Sequence, residues 1–436
     1  MGETARHDDS ASGAWQRTAI ADLKDMYTTS GVLDDKARDQ AGIISSTYVE
    51  DGRIRTPQPG TPAPDGSSPN RAILKEGDLA VVLVRRTGDA ALVTADHAGW
   101  TASRSIGIVR GDPHVVKWLR IWLQTPTAKS RIDEDVTAHV EPTVSLGTLR
   151  HMPFPLPPPD IITTYDTVFR LIEEMIQLRQ AAARRAMELA DAIHDDYCSS
   201  SGPAWRTRPL GEVAKAKTGT GSARSIPHKS NEPGIDVIAP TDLFDLPVPY
   251  VSNFRLSSPA HKTAWPPGTF MLSTRPDGTH IAVTQHPATP TRGVVALQPT
   301  DESDGWWLLH EMRSRSSDIA QAAPGRNSRE ISARALTRLS IAWPDPITRE
   351  DFHFKVDPLH ATARQLVSAV STLSALKDAI LRDIAAKART VLERGKEPDP
   401  GGTPLAPAIL PMPREATADH EPGWTPESRR EPERER

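Results

Sequence analysis

At 436 residues the chain is too long for one ordinary domain and long enough for two or three. Its 37% apolar and 25% charged content supports folded cores, no run of about 18 apolar residues offers a membrane span, and the polar opening MGETARHDDS lacks the apolar stretch of a signal peptide. The single cysteine, Cys198, excludes a disulfide framework and a multi-cysteine metal site and fits a reducing, cytoplasmic setting, while the net charge of −4 excludes a uniformly basic surface.

The charge is unevenly spread. From Trp205 to Pro346 there are 16 Lys+Arg against 13 Asp+Glu, a balance of +3; from Lys396 onward there are 6 against 9, a balance of −3. A DNA-binding face is compatible with an acidic chain, because the field near a site depends on local arrangement.

In chain order, residues 1–14 are polar and expected to be disordered. Trp15 opens a first globular unit, expected over 15–160, with strand-like runs in KEGDLAVVL (from Lys75) and SRSIGIVR (from Ser103) and a Pro/Gly/Ser loop at Thr56–Asn70. A long helical pattern follows over 161–198. A linker at 199–204, including SSSGP, leads to a second unit over 205–347. A second long helix is expected over 358–395, starting at Pro358. The tail 396–436 is rich in Pro, Gly, Glu and Arg and is expected to be disordered.

The two units repeat one another. Trp15 opens WQRTAIADLKDM and Trp205 opens WRTRPLGEVAKA. Gly77 and Gly268 each precede an apolar run. SRSIGIVR matches TRGVVALQ (from Thr291), WLRIWL (from Trp118) matches WWLLHEM (from Trp306), and TVSLGTLRHMPFPLPPP matches EISARALTRLSIAWPDP. These five matches keep one order and separations between 187 and 191 positions. The halves share pattern but little identity, so the scaffold repeats while the surface is free to differ.

Each long helix carries a heptad seam. The first is expected to read Val168, Ile172, Met175, Arg179, Ala182, Ala186, Leu189, Ile193, and the second Leu366, Val370, Leu373, Lys377, Ile380, Ile384, Lys387, Val391. Arg179 and Lys377 fall at the same place in the two seams, where a basic residue either fixes register or extends to water at the seam's edge. Two such helices pair more naturally with each other than alone, and antiparallel pairing holds the globular units apart.

Catalytic motifs are missing. There is no GxxxxGK[ST] loop and no Asn/Asp-Pro-Pro-Tyr/Phe run. TGTGS (Thr218–Ser222) reads as a turn, HPATP (His286–Pro290) as a loop, and Asp277 and Glu330 as surface charges without a nuclease cluster around them. The 14 histidines show no HExxH spacing and no cluster with cysteine or carboxylates. Neither a cofactor nor a metal is called for.

At this point the chain resembles the type I restriction-modification specificity subunits, over about residues 15–395. The resemblance rests on Trp205 to Val213 followed by TGTG, on GIDVIAPTDL (Gly234–Leu243), on PPGTFMLSTRPDGTHIAV, and on APGRNSREIS (Ala323–Ser332) before an apolar-Pro-x-Pro strand. The first unit departs more: WQRTAIADLK lacks the glycine, and AHVEPTVS (Ala138–Ser145) replaces the Gly-Arg-Asn turn. The resemblance implies an α+β protein: two tandem α/β target recognition domains with twisted sheets, separated by two long antiparallel coiled-coil helices. It also implies a non-catalytic subunit that reads a bipartite site on double-stranded DNA. Its helices would dock N6-adenine methyltransferase subunits, a motor-nuclease subunit can join them, and no membrane is involved.

Contact candidates follow from side-chain chemistry: Arg pairs bidentately with guanine, Asn or Gln with adenine, and Lys, Ser and Thr hold phosphates. In the second unit these are Lys215, Lys217 and Thr218 in the opening turn, Arg275 in the Gly turn, and Arg326 with Asn327 before the spacer helix. In the first unit they are Arg53, Arg55, Arg85, Arg86 and Arg104. Leu171, Ile176 and Leu178 are expected on the outer face of the first helix as a subunit-docking surface. Two other classes compete: an enzyme with an unrecognised site, and a coiled-coil adaptor that binds only protein. Within the resemblance, a methylation-only or another phage-defence system stays open.

Overall fold

The structure is a computed structural model. It describes residues 15–31, 42–50, 52–55, 72–136, 141–200, 205–220, 235–244, 246–251, 256–257, 264–275, 278–323 and 330–393. The segments 1–14 and 396–436, the loop Thr56–Asn70, and Arg326 and Asn327 lie outside the described residues.

One scaffold is built twice. Its ends are clipped together first: Gln16–Thr18 pairs antiparallel with Phe154–Leu156, and Thr207–Pro209 with Ser340–Ala342. A four-stranded antiparallel sheet then stands in the order Tyr27–Ser30, Ile106–Arg110, Leu79–Val82, Ala90–Leu92 in the first unit. The second repeats it as Ala214–Thr218, Val295–Pro299, Phe270–Arg275, Gly278–Val283. The register repeats as well, since Ser30 faces Gly107 and Thr218 faces Val295. A parallel pair lies beside each sheet, Ile43–Ile44 with Thr101–Ala102 and Asp236–Ile238 with Ala288–Pro290. The HPATP segment, expected to be a loop, therefore supplies the strand Ala288–Pro290.

The repeated tryptophans lock each helix onto this scaffold. Pro113–Trp122 starts at Asp112, whose carboxylate accepts from the His114 and Val115 amides, and Val115, Trp118, Leu119 and Trp122 bury one stripe. The Trp118 indole donates to the Pro155 carbonyl, and Trp15 meets its ring edge-to-face at 5.3 Å. In the second unit, the Trp307 indole donates to the Ala342 carbonyl at 3.0 Å, with Trp205 edge-to-face at 5.1 Å. Trp307, not Trp306, is thus the counterpart of Trp118. Trp306 instead stacks on His360.

The two long helices are Pro159–Ser200 and Pro346–Glu393. They pair antiparallel: Lys387 reaches Tyr165, Lys377 reaches Glu173 and Lys355 reaches Tyr197. The second begins at Pro346 and not, as expected, at Pro358, which lies inside it. A proline there removes one backbone bond, but Pro358 and the preceding Phe354 face solvent while Phe352, Val356 and His360 are buried. Water can satisfy the freed carbonyl, and burial of the other face holds the helix together.

Both seams differ from the expected ones. The buried positions of the first helix are Ile162, Phe169, Ile172, Glu173, Ala183, Met187, Ala190 and His194; Ile172 falls as expected, and Phe169, Glu173, Ala183, Met187, Ala190 and His194 form a stripe one residue later. Met175 and Leu189, expected in the seam, are 38% and 52% exposed. The second helix buries Ala363, Val367, Leu381, Ile384, Ala388 and Leu392, whereas Lys387 is exposed and pairs with Asp383. The reason is that each helix packs on a globular unit as well as on its partner. Apolar positions therefore spread over two adjacent stripes, and a pairwise heptad reading picks only one of them.

Each unit is seated across both helices, at opposite ends of the pair. The first unit shares a core with Ile162 and Phe169 of the first helix and Leu381, Ile384, Ala388 and Leu392 of the second. The second unit packs on Ala183, Met187 and Ala190 of the first helix and Phe352, Val356, Ala363 and Val367 of the second.

The polar parts of the two seats differ. At the first, Arg120 bonds Glu173 at 2.7 Å and Asp166 at 3.2 Å, and Lys377 bonds the other Glu173 oxygen at 3.0 Å. At the second, Arg313 clamps Asp191 through two bonds, and Asp191 accepts from His310 Nδ1 at 2.6 Å. His310 Nε2 meets His360 Nε2 at 2.9 Å, and His360 Nδ1 meets the Tyr250 hydroxyl at 2.6 Å. With both imidazoles neutral this chain closes with one proton per gap: His310 donates to Asp191, His360 to His310 and Tyr250 to His360. Burial, followed by the charges of His310, Arg364 and Arg313, holds His360 down to about 2 against the opposing pull of Asp191.

Candidate nucleic-acid interface

The strands of each sheet bring three segments to one end. In the second unit, Lys215 and Lys217 alternate with part-buried residues and share the exposed face of strand Ala214–Thr218, which forms one edge of the sheet. Thr218 does not project outward: its hydroxyl accepts from the Ala333 amide at 3.0 Å. The Thr274 hydroxyl accepts from the Ile331 amide at 3.3 Å. The opening strand, the hairpin end at Thr274–Arg275 and the segment at 331–333 are therefore tied together. Arg275 pairs through its backbone with Gly278. Arg326 and Asn327 precede this junction in sequence and lie outside the described residues.

The first unit repeats this convergence. Arg85 follows the strand Leu79–Val82 and is the one non-glycine described residue in the left-handed region, at φ 71. Its amide donates to the Pro142 carbonyl at 2.7 Å, and its guanidinium makes two bonds to Glu141. Arg85 and Arg275 thus both stand at the hairpin end beside the segment that leads to the spacer helix.

A second arginine pair stands nearby. Arg104 is exposed on a turn closed by the Ile106 amide and the Ser103 carbonyl at 3.1 Å. Arg292 is exposed on a turn closed by the Val294 amide and the Thr291 carbonyl, also at 3.1 Å. Each turn is pressed against a glycine that ends the first sheet strand's run. A Cβ on Gly31 would lie 1.9 Å from the Ser103 oxygen, and one on Gly219 2.2 Å from the Thr291 oxygen. Only glycine fits at either place. Sequence reasoning missed both Arg292 and Gly31, although the SRSIGIVR/TRGVVALQ match already set Arg104 over Arg292.

The other first-unit candidates lie away from this sheet end. Arg86 donates to the Ser46 and Val49 carbonyls at 2.7 and 2.8 Å and straps a neighbouring hairpin. Arg55 pairs with Glu50 at 3.5 Å. Arg53 lies by the first seat, where burial lowers its pKa against the pull of Glu173. The structure brings Arg85 and Arg104 to the sheet end and does not bring Arg53 there. On the first long helix, Leu171 and Leu178 are 46% and 64% exposed. Ile176 is half-buried and lines a cavity with Arg53, Gln177 and Lys377.

No protein-family model and no curated protein matches the chain. Among solved structures it is similar to the type I restriction-modification system S subunit from M. genitalium. Identity there is 12%, covering 87% of this chain and 98% of that one, with a TM-score of 0.50. The chain has the fold of a type I S subunit. Two further similar chains are one from a structure on complex assembly and conformational transition of the type I R-M system, and the HsdS subunit from Thermoanaerobacter tengcongensis. The first is 18% identical over 85% of this chain and 97% of that one at TM-score 0.39. The second is 19% identical over 85% and 96% at TM-score 0.32. Among the described residues, no helix is long and apolar enough to cross a membrane.

Proposed function

We propose that this chain is the DNA sequence-specificity subunit of a type I restriction-modification system. It reads a bipartite site on double-stranded DNA, one half per repeat, and does no chemistry itself. The observation that carries this reading is the duplicated sheet end. Two units of one scaffold, set at opposite ends of an antiparallel helix pair, each hold an arginine on the hairpin end and another on a glycine-backed turn. Arginine is the residue suited to bidentate guanine contact, and fixed backbone turns supply the positioning that such contact needs.

In this reading Arg85 and Arg104 serve one half-site. Arg275, Arg292, Arg326 and Asn327 serve the other, with Lys215 and Lys217 on phosphates. Thr218, Arg53, Arg55 and Arg86 shape the scaffold that presents them. The exposed stripe Leu171, Met175, Leu178 and Leu189 docks an N6-adenine methyltransferase subunit, and a motor-nuclease subunit joins that assembly. Selection of bound sequences from a random library, with the chain and its methyltransferase together, tests the reading. Two separated specific half-sites and a steep salt dependence are expected. A single contiguous site, or cleavage or methylation by the chain alone, overturns it.

A further inference from the structure

We propose that His194, Cys198 and Glu311 form a binding site for a divalent cation of the zinc class at the second seat. The three donors lie within 4.8 Å of one another. His194 and Cys198 are one helical turn apart on the first long helix, so both project from one face, and Glu311 comes from helix Gly305–Ser314 of the second unit. The site stands independently of the DNA reading.

The donor geometry is close to that of a bound metal. Cys198 Sγ is 3.8 Å from the His194 ring nitrogens, and His194 Nε2 is 3.6 Å from Glu311 Oε2. Zinc holds sulfur at about 2.3 Å and nitrogen and oxygen at about 2.0–2.2 Å. Neighbouring donors around one ion therefore stand within a few tenths of an ångström of these separations. Glu311 is also held in place. Glu311 Oε1 accepts from the Ala342 amide at 2.8 Å, which leaves Oε2 to point at His194. Asp195 stands 3.7 Å from His194 Nδ1, beyond hydrogen-bond distance, and adds a negative charge on the exposed side of the site.

The electrostatics favour a cation. Glu311 and His194 are almost fully buried, whereas Cys198 is exposed. A buried carboxylate requires a counter-charge. Arg315, 3.9 Å from Glu311 Oε1, supplies part of it, and Oε2 is left facing His194 at 3.6 Å. A divalent ion with one thiolate, one carboxylate and a neutral imidazole gives a site of zero net charge, with the fourth position open on the side of Cys198. Nitrogen, sulfur and oxygen together suit a borderline-soft ion such as Zn²⁺. The aromatic wall of Trp307, Tyr197 and Phe352 limits water around it. Sequence reading missed the site because its third donor is more than a hundred positions away from the His-x₃-Cys pair.

The bound ion would pin the end of the first long helix to the second unit. The test is Co²⁺ titration of the full chain after dialysis against a chelator. The expected result is a thiolate-to-cobalt charge-transfer band that saturates at one equivalent and is displaced by Zn²⁺. With one cysteine in the chain, the band has one source. Cys198→Ser, at an exposed position and so able to fold, should lose the band, and Glu311→Gln should weaken binding by about tenfold or more. A folded parent chain that shows no band overturns the proposal. So does a folded Glu311→Gln chain that keeps the band at unchanged affinity.

Discussion

Replacing Glu173 by leucine removes the carboxylate that Arg120 and Lys377 share at the first seat. The Arg120 and Glu173 side chains are 6% and 9% exposed and 2.7 Å apart, and Lys377 approaches the other oxygen at 3.0 Å. Deleting one member leaves two cations facing each other out of water, a change that typically costs about 3–5 kcal/mol. Asp166 still holds Arg120 at 3.2 Å, so the expected loss lies near the lower figure. Urea unfolding of the full chain, followed by tryptophan fluorescence, measures it. The triple replacement Arg120→Leu, Glu173→Leu, Lys377→Met removes the charges together and should recover most of the loss, because desolvation offsets much of what a buried pair gains. Glu174→Leu breaks an exposed pair with Arg170 and should change stability by under about 1 kcal/mol. A Glu173→Leu chain within about 1 kcal/mol of the parent, or a triple variant no better than the single one, refutes the coupled network.

The second seat should respond to mild acid. The folded chain holds His360 near 2, so the unfolded chain takes the proton first, at about 6.5. Stability is therefore present above about pH 6.5 and lost as pH falls towards 2. At pH 5 the loss from His360 alone is about 2 kcal/mol. Unfolding midpoints from pH 7 to 5 check this, and a profile whose slope survives His360→Asn counts against it. Arg104→Gln and Arg292→Gln should each weaken one half-site only, by about 1–3 kcal/mol per base contact; a uniform loss with a shallower salt slope would assign them to phosphates. Leu171→Asp with Leu178→Asp should abolish copurification with a methyltransferase while the melting curve stays put, and retained copurification rules out that face.

The sequence was most legible where the repeat constrained it. Trp15 and Trp205 mark the edge-to-face contacts that lock each unit's helix, and the α+β architecture with two antiparallel long helices follows from the duplicated pattern. What stayed hidden depends on contacts between distant segments. Nothing local distinguishes Gly31 from an ordinary loop glycine until Ser103 presses against it. Arg86 and Arg104 look alike in sequence, yet Arg86 straps the Ser46 and Val49 carbonyls of a neighbouring hairpin while Arg104 sits on the turn backed by Gly31. The seam reading missed the stripe of Phe169 and Met187 because these residues pack on a globular unit.

Under the proposed function, the helix pair acts as a ruler between half-sites, and the seats determine where it can be lengthened. The first unit occupies helix positions up to Glu173 on one strand of the pair and from Lys377 onward on the other. The second occupies Ala183 onward and up to Val367. Opposed residues such as Glu173 with Lys377 and Tyr165 with Lys387 have numbers summing to about 550. Position 177 therefore stands level with 373, between the two seats. One heptad inserted after Gln177 and another after Leu373 keeps both seats and the seam intact, whereas insertions at different levels would shear one helix past the other. A heptad adds about 10 Å of helix, equivalent to about three base pairs at ~3.4 Å each. The non-specific gap should lengthen by up to about three base pairs with both half-sites unchanged. Three base pairs also turn the duplex by roughly 100°, so affinity should fall even as the gap shifts. Mapping methylated sites of the double insertion reads both quantities. A gap that stays fixed while either half-site changes would show that something other than helix length sets the spacing.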